Sequence, residues 1–201
     1  MFIMVSMMLL AASVVKVTAQ DMSTQDAFSL SYSAEYNKDI PGAIKPLKAI
    51  EAKESGNYLL ELRIGWLLYV SELYNESVEY YKKAAQLEPS AVEPLLGIVN
   101  SLAAGGKNEE LMPVYKSILT IDPNNYTALS RLAWISYSKK EYLKAAEMYR
   151  VLVQRYPSDT EMLLGLGYAL KMDGNSVDAA KYFNRVLLLS PKNARAIEGL
   201  N

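Results

Sequence analysis

Arg63, Trp66 and Tyr69 stand at i, i+3 and i+6, and the same three residue types recur at the same spacing as Arg131, Trp134 and Tyr137. On a helix this spacing brings all three side chains out on one broad side. Their chemistry is that of recognition. Trp and Tyr bury large area at low entropic cost while keeping a polar tip, and Arg grips a carboxylate through two parallel hydrogen bonds. Asn100, between the two triads, can both donate to and accept from a peptide backbone.

Bond-making chemistry has few candidates. The 201 residues contain no His and no Cys, which removes imidazole and thiolate as nucleophiles, general bases and metal ligands. Carboxylates remain, among them Glu109-Glu110 and the scattered Glu35, Glu76, Glu79, Glu93 and Glu161, but their spacing is that of solvated helix faces. No phosphate loop, nucleophile elbow or metal-ligand cluster is present. The sequence therefore predicts no enzyme, no metal site and no cofactor. Twenty-one basic residues balance twenty-two acidic ones, so no broad field exists to draw in nucleic acid.

The elements that position the triads are read from a repeat. Pro89, Pro123, Pro157 and Pro191 recur every 34 residues, with Ser55 completing the series upstream. Setting the proline at repeat position 32 starts the repeats at Thr24, Tyr58, Val92, Tyr126 and Thr160. Position 7 then reads Leu30, Ile64, Ile98, Leu132 and Leu166, and position 8 reads Ser31, Gly65, Val99, Ala133 and Gly167. Position 20 reads Ala43, Ser77, Leu111, Ala145 and Ala179; position 24 reads Leu47, Tyr81, Tyr115, Tyr149 and Phe183; position 27 reads Ile50, Ala84, Ile118, Leu152 and Val186. Positions 4, 7, 8 and 11 share one face of a first helix, and 20, 24 and 27 one face of a second. Small residues at 8 and 20 allow a close crossing, and the proline stops the second helix.

Over residues 24 to 193 this pattern resembles the tetratricopeptide repeat family. The resemblance implies an all-α, right-handed α-solenoid of five helix-turn-helix repeats: 24–57 (divergent), 58–91, 92–125 (divergent), 126–159 and 160–193, with a partial capping helix over 194–201. It also implies a non-catalytic, protein-binding scaffold whose first helices line a concave groove. Position 9, which commonly faces ligand in the family, reads Tyr32, Trp66, Asn100, Trp134 and Tyr168. Position 12 adds Tyr69 and Tyr137, and position 6 adds Arg63 and Arg131. The expected site is a slot with two Arg/Trp/Tyr walls and a floor of Gly97, Asn100 and Ala103, sized for an extended or helical peptide segment of another protein. Against it stands the reading that these aromatics only pack between neighbouring first helices. A groove for a glycan or small amphiphile is a third alternative. The family's clamp for chaperone C-termini requires Lys at positions 5 and 2, and this chain has none there.

Repeats 1 and 3 depart from the pattern. Pro46 lies inside the second helix of repeat 1, where it should kink that helix. Repeat 3 has Leu111 where Ala is usual, Asn108 where an aromatic is usual, and Pro113 near a helix start, where a missing amide costs little. After Pro191, Ile197 and Leu200 are expected to face inward as a thin cap. The neighbouring run Val186 to Leu189 makes self-association through the C-terminal end, as a subunit of a larger envelope assembly, the alternative function.

Phe2 to Val15 is apolar or small, with hydroxyls only at Ser6 and Ser13, and Val17-Thr18-Ala19 offers small residues at −3 and −1 of a cleavage site. Residues 1–19 are read as a signal peptide and 20–23 as a short linker, although no Lys or Arg precedes the apolar run. The stretch is shorter than the roughly 18 to 20 residues that span a bilayer, so the mature chain is expected to be exported, periplasmic or secreted, without a transmembrane segment.

Overall fold

The computed structural model describes residues 22–201, and the signal-peptide expectation, on residues 1–19, lies outside them. The described residues are helix and turn only and divide into a unit ending at Gly56 and a unit Asn57–Asn201. The first unit is one antiparallel pair, α1 (Thr24–Tyr36) and α2 (Ile40–Ile50). The second stacks α3 (Tyr58–Val70), α4 (Tyr74–Leu87), α5 (Glu93–Ala104), α6 (Leu111–Ile121), α7 (Tyr126–Ser138), α8 (Tyr142–Arg155), α9 (Thr160–Met172), α10 (Ser176–Leu189) and the short α11 (Ala194–Leu200).

Local chemistry sets the helix starts. Asn57, Asn125, Asp159 and Asn193, each at the last position of a repeat, cap α3, α7, α9 and α11 by accepting a hydrogen bond from a first-turn amide. Such a cap satisfies one of the four donors a helix start leaves open and stabilises by about 1 kcal/mol. Repeat 3 lacks it; Val92, the residue before α5, gives no side-chain cap, and Pro94 lies in the first turn instead.

The turns inside the pairs are equally regular. Repeat position 15 takes a positive φ every time, at Lys38, Glu72, Gly106, Lys140 and Gly174. Only two of the five are glycine. The following amide then reaches back to the helix, as in Glu141 N–H to Ser136 O and Asn175 N–H to Leu170 O, both 2.9 Å. This closes the helix end and reverses the chain.

Packing in the larger unit rests on the ring at position 24. Tyr81, Tyr149 and Phe183 are buried and lie over a glycine of the next first helix, Gly97, Gly165 and Gly199 respectively. A Cβ built on any of these three glycines would come within 2.6 Å of the ring. Tyr81 and Phe183 also press against Gly65 and Gly167 of their own first helix. Each ring is thus a wedge between consecutive first helices, and the absence of a Cβ sets how closely they approach. A buried polar bridge adds specificity between α3, α4 and α5: Ser77 Oγ donates to Gly65 O at 2.8 Å and lies 2.9 Å from Ser101 Oγ, which donates to Gly97 O.

Two expectations change. Ile197 and Leu200 do not face inward: they are 46% and 40% exposed, and the buried residues of α11 are Ala196 and Gly199. The reason is geometric. Positions 4 and 7 of a first helix are covered with help from the second helix of the same repeat, and within these 201 residues α11 has none. Leu30, at position 7 of repeat 1, is 51% exposed, while Ala27 and Ser31 are buried. Helix α2 runs through Pro46 without interruption, with the ring buried, and ends after 11 residues where α4, α8 and α10 have 14. Helix α6 is equally short and follows a 3-10 turn at Asn108–Glu110.

Candidate functional site

Helices α7, α9 and α11 line a cavity of about 720 Å³. Helix α7 starts at the Asn125 cap, and its face opposite the buried Leu129, Leu132 and Ala133 sends Arg131, Trp134 and Tyr137 into that cavity. Tyr168 of α9 forms the facing wall, with its ring edge-on to Phe183 at 5.0 Å and its hydroxyl donating to Arg195 O at 2.6 Å. Tyr149 rises from α8 as the floor, beside Gly165. Trp134 is 60% exposed, a large apolar surface for a residue that seldom sits open to water.

Charges ring the opening. Arg195 of α11 binds Glu161 of α9 through both guanidinium nitrogens, and Lys171 donates to Gly199 O at 2.9 Å. These contacts hold α11 as the far wall. Glu198 lines the same wall and Arg131 the opposite one. Tyr126, at the cavity edge, donates to Asp159 Oδ2 at 2.7 Å, and burial followed by that carboxylate pushes its phenol up to about 12. Burial likewise pushes Tyr149 up to about 12, and raises Tyr137 and Tyr168. All these phenols are neutral near pH 7, so they serve as hydrogen-bond donors and as apolar faces. Among the described residues no cluster of acidic side chains could hold a metal ion, and no helix is long and apolar enough to cross a membrane.

Of the nine groove residues read from the sequence, four meet here: Arg131, Trp134, Tyr137 and Tyr168. The other triad is arranged differently. Trp66 is 44% exposed and leans on Tyr69, ring centroids 5.8 Å apart, and Tyr69 continues to Tyr74 at 5.9 Å. Arg63 is buried, only 8% exposed, so its guanidinium is not a groove surface. It shares α3 with a second buried charge, Glu61, whose carboxylate lies 3.7 Å from Lys83 Nζ. Asn100 is exposed on α5, and Tyr32 is exposed on α1 in the other unit. Gly97 is no open floor, since the Tyr81 ring fills the space against it. The sequence reading missed Thr127, Ser130, Glu161, Arg195 and Glu198. Thr127, Ser130 and Glu161 hold repeat positions 2 and 5, which line ligand grooves in the resembled family, so a signal existed for them. For Arg195 and Glu198 there was none, because they belong to a partial repeat.

The comparisons agree with this architecture. The tetratricopeptide repeat family pattern matches residues 131–194 and 62–90. A protein CTR9 homolog from Arabidopsis thaliana is 25% identical over 130 residues, covering 64% of this chain and 12% of its own length. The chain spans between 12% and 20% of the length of the curated relatives it matches. Among solved structures, the MamA protein superposes with a TM-score of 0.67 at 20% identity, over 89% of this chain and 95% of that one. YrrB, described as a TPR protein with an unusual peptide-binding site, superposes with a TM-score of 0.67 at 11% identity, over 88% and 91%. At such identities these structures show a shared fold and nothing finer.

Proposed function

Because the chain is a tetratricopeptide repeat protein, with a fold that serves protein binding in general, we propose that it is an exported, non-catalytic adaptor that takes a peptide segment of another protein into the α7–α9–α11 cavity. The observation that carries this reading is the exposed indole of Trp134 beside Arg131, Tyr137 and Tyr168 around one concave space. Aromatic and Arg anchors around a concave centre are the usual makers of binding hot spots. A peptide-binding site in YrrB, a protein of like fold, supports the reading. Trp66, Tyr69 and Asn100 extend the contact surface as a weaker flank.

The test is a random peptide library displayed on phage and selected on the full chain. Enriched peptides should lose about 30-fold or more in affinity with Trp134→Ala, the scale of a hot-spot residue, and less than about threefold with Trp66→Ala. Equal affinity for all three proteins, with unchanged circular dichroism, removes the cavity as the site.

Export rests on the composition of residues 1–19, and a processed chain starting at Gln20 in a secreted or periplasmic fraction is its test. A second reading, a subunit joined through its C-terminal end, draws on Leu188, Leu189, Ile197 and Leu200, all at least 40% exposed. Growth of solution mass with concentration, abolished by polar substitution of Ile197 and Leu200, would favour it.

A further inference from the structure

The cavity is not uniformly charged, and its bias follows from which ions are already neutralised. Glu161 and Arg195 cancel each other through their two-point contact. That leaves Arg131 on the α7 wall and Glu198 on the α11 wall, both exposed and neither in an ion pair among the described residues. Between them lies an apolar middle made by Trp134, Tyr149 and Tyr168. Charge is therefore positive at one end and negative at the other, with a greasy centre.

We propose that the guest of this cavity is a dipolar peptide segment: an acidic side chain at one end for Arg131, a large apolar side chain in the middle, and a Lys or Arg at the other end for Glu198. This deepens the peptide-binding reading and rests on it. The length follows from the helix spacing. Helices α7 and α11 are separated by α9, so the two charged walls are two interhelical steps apart, roughly 16 to 20 Å. An extended chain covers that distance in about five to six residues at roughly 3.3 Å each. The carboxylate of the guest then meets a guanidinium able to take it in two parallel hydrogen bonds. Its ammonium or guanidinium meets Glu198 at the opposite end, and a guest of one charge sign meets a like charge at one wall.

Capped heptapeptides with a central leucine and termini acid/base, acid/acid, base/base or Gln/Gln provide the test, titrated against the full chain at low salt. The acid/base peptide should bind at least about tenfold tighter than either like-charged peptide, with the margin shrinking as salt screens exposed charges. Single charge reversals then move the preference in opposite directions: Glu198→Lys should select the acid/acid peptide and Arg131→Glu the base/base peptide. Equal binding of all four peptides to the unaltered chain, or a ranking that stays put in both variants, overturns the dipolar guest. In that case the Gln/Gln peptide, lost on Trp134→Ala, still reports a peptide-binding cavity. If none of the four binds, the dipolar guest is overturned as well, and the broader reading stands or falls on the phage selection.

Discussion

Helices α3 and α7 carry the same Arg, Trp and Tyr at the same helical positions, and they meet different surroundings. On α7 the guanidinium and indole open into a cavity; on α3 the guanidinium is buried and the indole leans on its own neighbour Tyr69. What the next first helix brings differs in kind. Facing Trp134, α9 supplies Tyr168, which α11 then fixes through Arg195, whereas the equivalent position on α5 is Asn100. A recognition triad on one helix is thus only half of a site. The other half is the face of the following repeat, and repeats of equal sequence need not be equal in function.

Because nearly every packing device occurs once in each region, paired substitutions can separate what is shared from what is not. The largest effect belongs to the wedge rings. Tyr81→Ala and Tyr149→Ala should each cost about 3 to 5 kcal/mol of stability, the cost of emptying a large aromatic from a core, measured by urea unfolding. Only the second should also change peptide affinity, since only Tyr149 floors the cavity. If Tyr81→Ala weakens peptide binding as strongly at a urea-free temperature where both variants are folded, the two regions act as one site.

Next in size is the response to alkali. Tyr58 and Tyr81 in one region, and Tyr126 and Tyr149 in the other, have phenols pushed up to about 12. A pKa raised in the folded state favours the protonated form, so the associated stability is complete below pH 10, the unfolded value, and is lost as pH rises toward 12. Ultraviolet titration should show these four ionising late, together with loss of helix. Phenolate formation at pH 10 from all four tyrosines, with the helix content intact, would contradict the packing described for both regions.

The smallest effect is at the turns. Glu72→Gly and Lys140→Gly place glycine where the backbone already has φ near +60°. Each should stabilise by about 0.5 to 1 kcal/mol, because a side chain is disfavoured in that conformation. Thermal unfolding midpoints a few degrees higher in both are the expected result. A rise in only one would mean that the two turns are held differently.

These pairs also show why the sequence was legible where it was. Helix identity and the ring at position 24 are local or nearly periodic, so a residue such as Phe183 declares its role by spacing alone. The left-handed turn at position 15 was visible only at Gly106 and Gly174, since Lys38, Glu72 and Lys140 adopt it against their own preference. The burial of Arg63 and the exposure of Ile197 and Leu200 depend on which neighbours stand beside them, and periodicity treats every repeat as though its neighbours were average. The α11 wall of the cavity was hidden for the same reason: Arg195 and Glu198 lie in a fragment of a repeat, and their meaning comes from α9.

The ring-over-glycine contact carries a consequence for how such a chain can be rearranged. Position 6 reads Arg63, Gly97, Arg131 and Gly165 through the four full repeats of the larger unit and Gly199 in the partial one, so a ring meets glycine at the joints after repeats 2, 4 and 5, while the joint after repeat 3 carries Arg131. Excision of repeat 3 alone, residues 92–125, would set the repeat that bears Arg131 directly after Tyr81 and press a guanidinium stem into the place of a missing Cβ. Excision of repeats 3 and 4 together would bring Tyr81 to Gly165 and restore the fit. Loss or duplication should therefore be tolerated where the new joint sets a ring against a glycine and penalised where it sets a ring against an arginine at position 6.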